Sequence, residues 1–216
     1  YSRPGNKKAH LTNKILELLR ETYPDVETAL DFSNPYQLLV ATVLSAQTTD
    51  IQVNKITKTL FQKYPTPKEL SQATQEELEK NIKSIGLYKN KSKNLIKTGT
   101  ILMEKYNGEI PSTREELMEL PGVGRKTANV VLSNAFNIPA IAVDTHVFRV
   151  SKRIGFSEGK NPDEVEQDLM KLIPVKDWKD AHHWLIWHGR LVCKAQNPNC
   201  LKCPLSEECY FWQNSH

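Results

Sequence analysis

The sequence predicts an all-α fold, and three observations carry that prediction. Apolar residues recur at three- and four-residue spacing from end to end. Helix-start signals recur with them: Asn34-Pro35, Asn161-Pro162, and Thr-x-x-Glu at Thr74–Glu77 and Thr113–Glu116. Alternating apolar and polar runs, which mark half-buried strands, are nearly absent.

The elements follow in chain order. Leu11, Ile15, Leu18 and Leu19 form a helical stripe that closes before Pro24. Asn34 as N-cap and Pro35 at the first helical position open Tyr36–Leu44, which is apolar nearly all round and reads as a buried central helix. Asp50 is expected to cap the next helix, with Val53, Ile56 and Leu60 facing inward. The two Thr-x-x-Glu patterns are capping boxes. Gly86, Gly108 and Gly155 fit helix C-terminal stops. Asn161-Pro162 starts a helix carrying Val165, Leu169 and Leu172.

With 216 residues, 39% hydrophobic and 25% charged, the chain can bury a core in one domain or two small ones. No apolar run approaches the ~20 residues of a membrane span. The opening stretch YSRPGNKKAHLTNK carries charge without the apolar core of a signal peptide, so the sequence reads as intracellular and cytoplasmic. A net charge of +4 permits nucleic-acid binding without singling it out. Distribution says more. Lys83 to Lys97 holds five lysines, Lys91 among them, and no acid. Alone such a run is a solvated helix face; beside a phosphate-binding turn it reads as a stripe for a nucleic-acid backbone.

That turn lies in Leu120–Val131, LPGVGRKTANVV. Gly122 and Gly124 allow φ > 0 and let a ligand approach where a Cβ would intrude. The amides that follow open a helix, lack intrahelical acceptors and carry the positive end of its dipole. This is an anion site suited to a DNA phosphate, built from Gly122, Val123, Gly124, Arg125 and Thr127. With a short helix over Thr113–Leu120 ahead of it, the pattern hydrophobic-x-Gly-x-Gly-x-x-Thr-Ala is a helix-hairpin-helix. Ile85-Gly86-Leu87-Tyr88, ahead of Lys91-Ser92-Lys93-Asn94-Leu95, echoes it and predicts a second turn of this kind. Lys126 has three readings: a solvated lysine, a phosphate contact, or an amine nucleophile. The third is physically open because a helix N-terminus disfavours a nearby ammonium.

Asp144 follows the apolar run Ala140–Val143 and precedes a helix. It reads as an N-cap, and also as a carboxylate placed to stabilise developing positive charge at reduced dielectric cost. His146 is structural or touches phosphate. All four cysteines fall in one stretch, Cys193, Cys200, Cys203 and Cys209, spaced C-x6-C-x2-C-x5-C. Four thiolates so close require a cation, and Cys₄ suits zinc or an iron–sulfur cluster. The single CxxC pair tilts the spacing slightly toward a [4Fe–4S] cluster.

Over essentially its whole length the chain resembles the endonuclease III family of DNA glycosylase/lyases. The matching pieces are Leu44–Asp50 (LSAQTTD), Ile85–Tyr88 (IGLY), LPGVGRKTANVV, Val143–His146 (VDTH), His182-His183-Trp184, His188-Gly189-Arg190 and the cysteine spacing. The resemblance implies Lys126 as nucleophile, Asp144 as catalytic carboxylate, and a [4Fe–4S] cluster on the four cysteines. It implies that Gln47 and Leu87 fill the gap left when a base is extruded from the duplex. It implies two helical lobes, with a DNA-binding cleft between them. One is a six-helix barrel with the helix-hairpin-helix, over residues 28–138. The other, carrying the cluster, joins 1–27 to 139–216. Lys194 and Lys202 are implied phosphate contacts on the cluster loop. Lysine at 126, where relatives with glycosylase activity alone carry serine or tyrosine, implies the bifunctional branch. The implied partner is duplex DNA with oxidised pyrimidines or abasic sites, bound by a monomer. Tyr1 to Lys8 match nothing in the family and are expected to be disordered.

Overall fold

The structure, a computed structural model, describes residues 4–215, and every regular element among them is a helix. The chain divides into two compact units. One runs to Glu27 and resumes at Pro139; the other is Thr28–Ile138.

The Thr28–Ile138 unit holds seven α-helices: α2 (Pro35–Leu44), α3 (Asp50–Lys63), α4 (Pro67–Gln72), α5 (Gln75–Asn81), α6 (Tyr88–Lys105), α7 (Arg114–Met118) and α8 (Arg125–Ala135). The barrel expected from the resemblance had six; two short helices, α4 and α5, stand either side of Ala73-Thr74. Asn34 caps α2 as expected, its side chain accepting from the Gln37 amide at 2.9 Å with Pro35 next in line. The helix is central: Leu38, Leu39, Ala41 and Leu44 are at most 1% exposed. Burying each leucine contributes roughly 1.5–3 kcal/mol, and a charge at Leu39 would break this core.

Some caps fall elsewhere than expected. The N-cap of α3 is Thr49, which accepts from the Gln52 amide, while Asp50 is the first helical residue, where its charge favours the dipole. Thr74 and Thr113 do cap α5 and α7, but a reciprocal box closes at Thr66 and Glu69, ahead of α4. Thr66-Pro67-Lys68-Glu69 carries the same Thr-x-x-Glu signal, with Pro67 at the first helical position. Gly99 in α6 has a specific reason to be glycine: a Cβ there would stand 2.8 Å from the Ser71 amide nitrogen and 3.1 Å from the Pro67 carbonyl, so α4 and α6 could not pack.

The other unit holds α1 (Pro4–Thr22), α9 (Thr145–Arg153), α10 (Pro162–Leu172), α11 (Trp178–Leu191) and α12 (Tyr210–Asn214), with 3₁₀ turns at Val175–Asp177 and Cys200–Lys202. The expected disorder over Tyr1–Lys8 fails from Pro4 onward, where α1 begins; Tyr1–Arg3 lie outside the described residues. Ile15, Leu16 and Leu19 of α1 share a core with Val147 and Val150 of α9, Val165 and Leu169 of α10, and Trp184 and Leu185 of α11. Leu11, expected on that stripe, is 38% exposed, and Leu16 takes its place. Asn161 caps α10 through the Glu164 amide, with Pro162 behind it.

Candidate functional site

The hairpin forms as its sequence dictates, with one reassignment. Gly122 has φ +77° and requires glycine; a Cβ there would also crowd the Asn94 amide of α6 at 3.1 Å. Gly124 does not. It is the extended N-cap of α8 (φ −94°, ψ −174°), and a Cβ on it meets nothing within 4 Å. Val123 is not a ligand-facing donor either, because its side chain is buried and its amide donates to Leu120 O at 3.1 Å. The first intrahelical bond of α8 runs from the Ala128 amide to Gly124 O, so the amides of Lys126 and Thr127 have no acceptor within the helix. Lys126 is exposed in this first turn. Arg114 Nε donates to Asn129 Oδ1 at 2.8 Å and ties α7 to α8.

The echo of this hairpin at Ile85–Tyr88 is a different turn. Leu87, not Gly86, adopts the left-handed conformation, with φ +59° and ψ +33°, and stands 57% exposed at the N-cap of α6. In the neighbouring loop Gln47 has φ +59° and is also exposed. Non-glycine residues seldom adopt this conformation, and strain of this kind, of order 1–3 kcal/mol each, gathers at functional sites. The Gly86 amide donates to Thr48 Oγ1 at 3.2 Å and joins the two loops.

Lys91, expected as a phosphate contact, is turned inward. It is 5% exposed, and its Nζ donates to Leu44 O at 3.0 Å and to Ala46 O. Burial pulls its ammonium below the usual lysine range. Lys83, Lys89, Lys93 and Lys97 stay exposed.

In the other unit, Asp144 caps α9: Oδ1 accepts the Val147 amide at 2.7 Å, and Oδ2 lies 3.2 Å from His146 Nδ1. An ionised carboxylate only accepts, so Nδ1 carries the proton in this pair. Burial alone would raise the carboxyl, but the Val147 amide and His146 outweigh it and hold Asp144 below the ordinary carboxylate value. The approach to Asp144 is fixed from α11, where His182 Nδ1 lies 2.8 Å from Ala142 O.

The four cysteines line one shared pocket, with His188 and Arg153 also in its wall. They surround it rather than converge on one point; among the described residues no three His, Cys, Asp or Glu side chains are set to hold a metal ion directly. Burial pushes the Cys203 thiol up to about 11, and the other three cysteines add to the rise, so four thiolates together need positive charge. Cations and donors are at hand. Arg153 Nη1 lies 3.5 Å from Cys193 Sγ and 2.7 Å from Lys194 O, and Arg149 Nη2 donates to Gly189 O at 2.9 Å and to Cys193 O at 3.1 Å. His188, 1% exposed, sets Nε2 3.5 Å from Cys203 Sγ and Nδ1 2.8 Å from the Tyr23 hydroxyl. None of these partners was assigned a role from sequence. His188-Gly189-Arg190 was a visible signal; Tyr23 gave none. Lys194 and Lys202 are exposed on this loop.

A helical hairpin with bare amides, a lysine in the first turn behind it, and a thiol-lined loop define a class of DNA-repair fold. Residues 40–175 match the model of the HhH-GPD superfamily base excision DNA repair proteins. The chain is 54% identical over 195 residues to endonuclease III of Bacillus subtilis (strain 168), covering 90% of this chain and 89% of the relative. It is 50% identical over 198 residues to endonuclease III of Escherichia coli (strain K12), covering 92% and 94%. A solved structure of a trapped endonuclease III–DNA covalent intermediate, an estranged-adenine complex, superposes with a TM-score of 0.90 at 52% identity over 94% of this chain and 98% of that one. The chain belongs to the endonuclease III family, the base excision repair glycosylases that are also abasic-site lyases.

Proposed function

We propose that the chain removes oxidised pyrimidines from duplex DNA and cleaves the resulting abasic site through a Schiff base on Lys126. The observation that carries this reading is the placement of Lys126. It is an exposed amine in the first turn of α8, directly behind a hairpin whose amides suit a phosphate. An endonuclease III 52% identical to this chain has been trapped as a covalent DNA intermediate, which supports a covalent route.

The damaged nucleotide is extruded, which costs least for a base that pairs or stacks poorly. The Lys126 amine forms a bond to C1′ as the glycosidic bond breaks and the base leaves with the electron pair. Asp144, ionised across the physiological range, stabilises the positive charge that develops on the sugar. Ring opening gives the imine. Loss of a C2′ proton then expels the 3′ phosphate by β-elimination and cuts the strand. Gln47 and Leu87 fill the gap: an amide can pair with the orphaned base, and an apolar wedge holds the step open. Their exposed side chains on left-handed backbone support those roles. With Lys91 turned inward, backbone contacts fall to the hairpin amides, Arg125, and the exposed Lys194 and Lys202; His146 offers Nε2.

Cys193, Cys200, Cys203 and Cys209 would hold a [4Fe–4S] cluster. Thiols around a shared cavity suit a multi-iron body better than a single zinc, whose ligands converge on one point. When bound, the cluster supplies iron–sulfur bonds that fix the 193–209 loop, and glycosidic cleavage transfers no net electron through it.

Borohydride reduction during turnover tests the nucleophile. Wild-type protein should become linked to abasic-site duplex, and Lys126→Ala should not. Trapping of Lys126→Ala at wild-type yield would sink the assignment. The rival reading, a DNA-binding module with Lys126 on a phosphate, requires the abasic strand to survive intact in EDTA; the lyase cuts it. A panel of damaged-base duplexes then decides the lesion class.

A further inference from the structure

A lysine buried without a carboxylate partner needs a reason. A methionine would fill the same volume at Lys91 with no ammonium to desolvate. What the ammonium adds is two directed bonds. Leu44 is the last residue of α2, so its carbonyl is one of the orphan acceptors at the negative end of that helix. Ala46, the second acceptor, immediately precedes Gln47. Lys91 itself sits one turn into α6, where its own amide donates to Leu87 O at 3.0 Å. One side chain therefore ties the loop that presents Gln47 to the helix start that presents Leu87. The Gly86 amide, donating to Thr48 Oγ1, adds a second tie between the same segments. Both presented residues hold φ +59°, a conformation that persists only where the surroundings over-determine it.

We infer that Lys91 is a positioning residue for base extrusion: it clamps the Gln47 loop to the Leu87 turn, so that the two side chains enter the duplex as one rigid pair. The inference rests on the gap-filling roles proposed above for Gln47 and Leu87.

The test uses the full-length protein and duplexes with 2-aminopurine opposite an abasic-site analogue. Binding by wild type should raise the fluorescence as the opposed base loses its stacking. Single Q47A and L87A substitutions should each diminish the rise. Lys91→Met should diminish it as well, and should slow borohydride capture on abasic duplex about 10- to 100-fold, the cost of a misplacement near one ångström. A clamp acts through what it holds, so adding Lys91→Met to a Q47A/L87A background should change little. A residue that merely stabilises the fold would lower both backgrounds equally. Thr48→Val, which removes the acceptor of the second tie without altering shape, should act in the same direction and decides the matter if Lys91→Met does not fold. Intact fluorescence in Q47A and L87A would show the gap-filling reading to be wrong, and the clamp would fall with it. Loss in those two with wild-type behaviour in Lys91→Met and Thr48→Val, or full additivity in the double background, would overturn the clamp alone.

Discussion

The Tyr23 hydroxyl lies 2.8 Å from His188 Nδ1, joining the residue just after α1 to α11 beside the cysteine loop. With Cys203 ligating as thiolate in the proposed cluster it could only accept, so His188 Nε2 would carry the proton toward it and Nδ1 would accept from Tyr23. Burial supports both roles: it lifts the Tyr23 hydroxyl to about 12 and lowers His188 to about 4, leaving a neutral phenol and a neutral ring. Tyr23→Phe would leave Nδ1 buried and unbonded, at a cost of about 1–3 kcal/mol. We expect a lower denaturant midpoint and, with the proposed cluster bound, faster bleaching of its absorbance by an iron chelator. Bleaching at the wild-type rate would sever the link between this tyrosine and the cysteines.

Substitution can separate the cap that Asp144 forms from the charge-stabilising role proposed for it. Asparagine is as good an N-cap as aspartate, so Asp144→Asn should keep the Val147 bond and most of the stability, while base removal in single turnover falls steeply. Asp144→Ala should lose the cap too, costing about 1 kcal/mol. Full base-removal rates in Asp144→Asn would reduce this residue to a cap.

The two hairpin glycines should respond oppositely. Gly122→Ala forces a side chain into φ +77° against Asn94 and should destabilise by about 1 kcal/mol or more. Gly124→Ala has permitted backbone and open space. It should leave the melting curve unchanged and weaken binding to duplex DNA, where a methyl would meet the phosphate. Equal affinity for Gly124→Ala would place the phosphate elsewhere.

His183 gives a pH signature. Burial, with His182 and Lys179 adding to it, lowers the ring to about 3, whereas the unfolded chain binds a proton near 6.5. The folded state therefore holds fewer protons between those values, and stability falls as pH drops from 6.5 toward 3. His183→Gln should flatten the slope by close to one proton, about 1.4 kcal/mol per pH unit. An unchanged slope in denaturant midpoints across pH 4–6 would assign the proton to another group.

What could be read from sequence was what lies close together along the chain. Asn34-Pro35, LPGVGRKTANVV and the cysteine stretch each carry their geometry in adjacent residues, so turn, cap and thiol cluster were all legible. Direction was not. Lys91 and Lys93 look alike in sequence, yet one is buried and the other exposed, because two residues along a helix point to different sides. Gly86 drew attention as the flexible residue, while tertiary contacts placed the left-handed backbone on Leu87. Tyr23 and His188 are 165 positions apart, and no local pattern announces a contact of that span.

The unit that carries the cysteines is assembled from segments made at different times. On the ribosome α1 emerges before the whole of Thr28–Ile138, and α9 to α11 only after it. Through that interval Ile15, Leu16 and Leu19 have no α11 to cover them, and the nascent chain carries an uncovered apolar stripe of the kind chaperones hold. Delivery of iron to the proposed cluster would wait longer still, since Cys193 to Cys209 are translated after α1 to α11 and only α12 follows them.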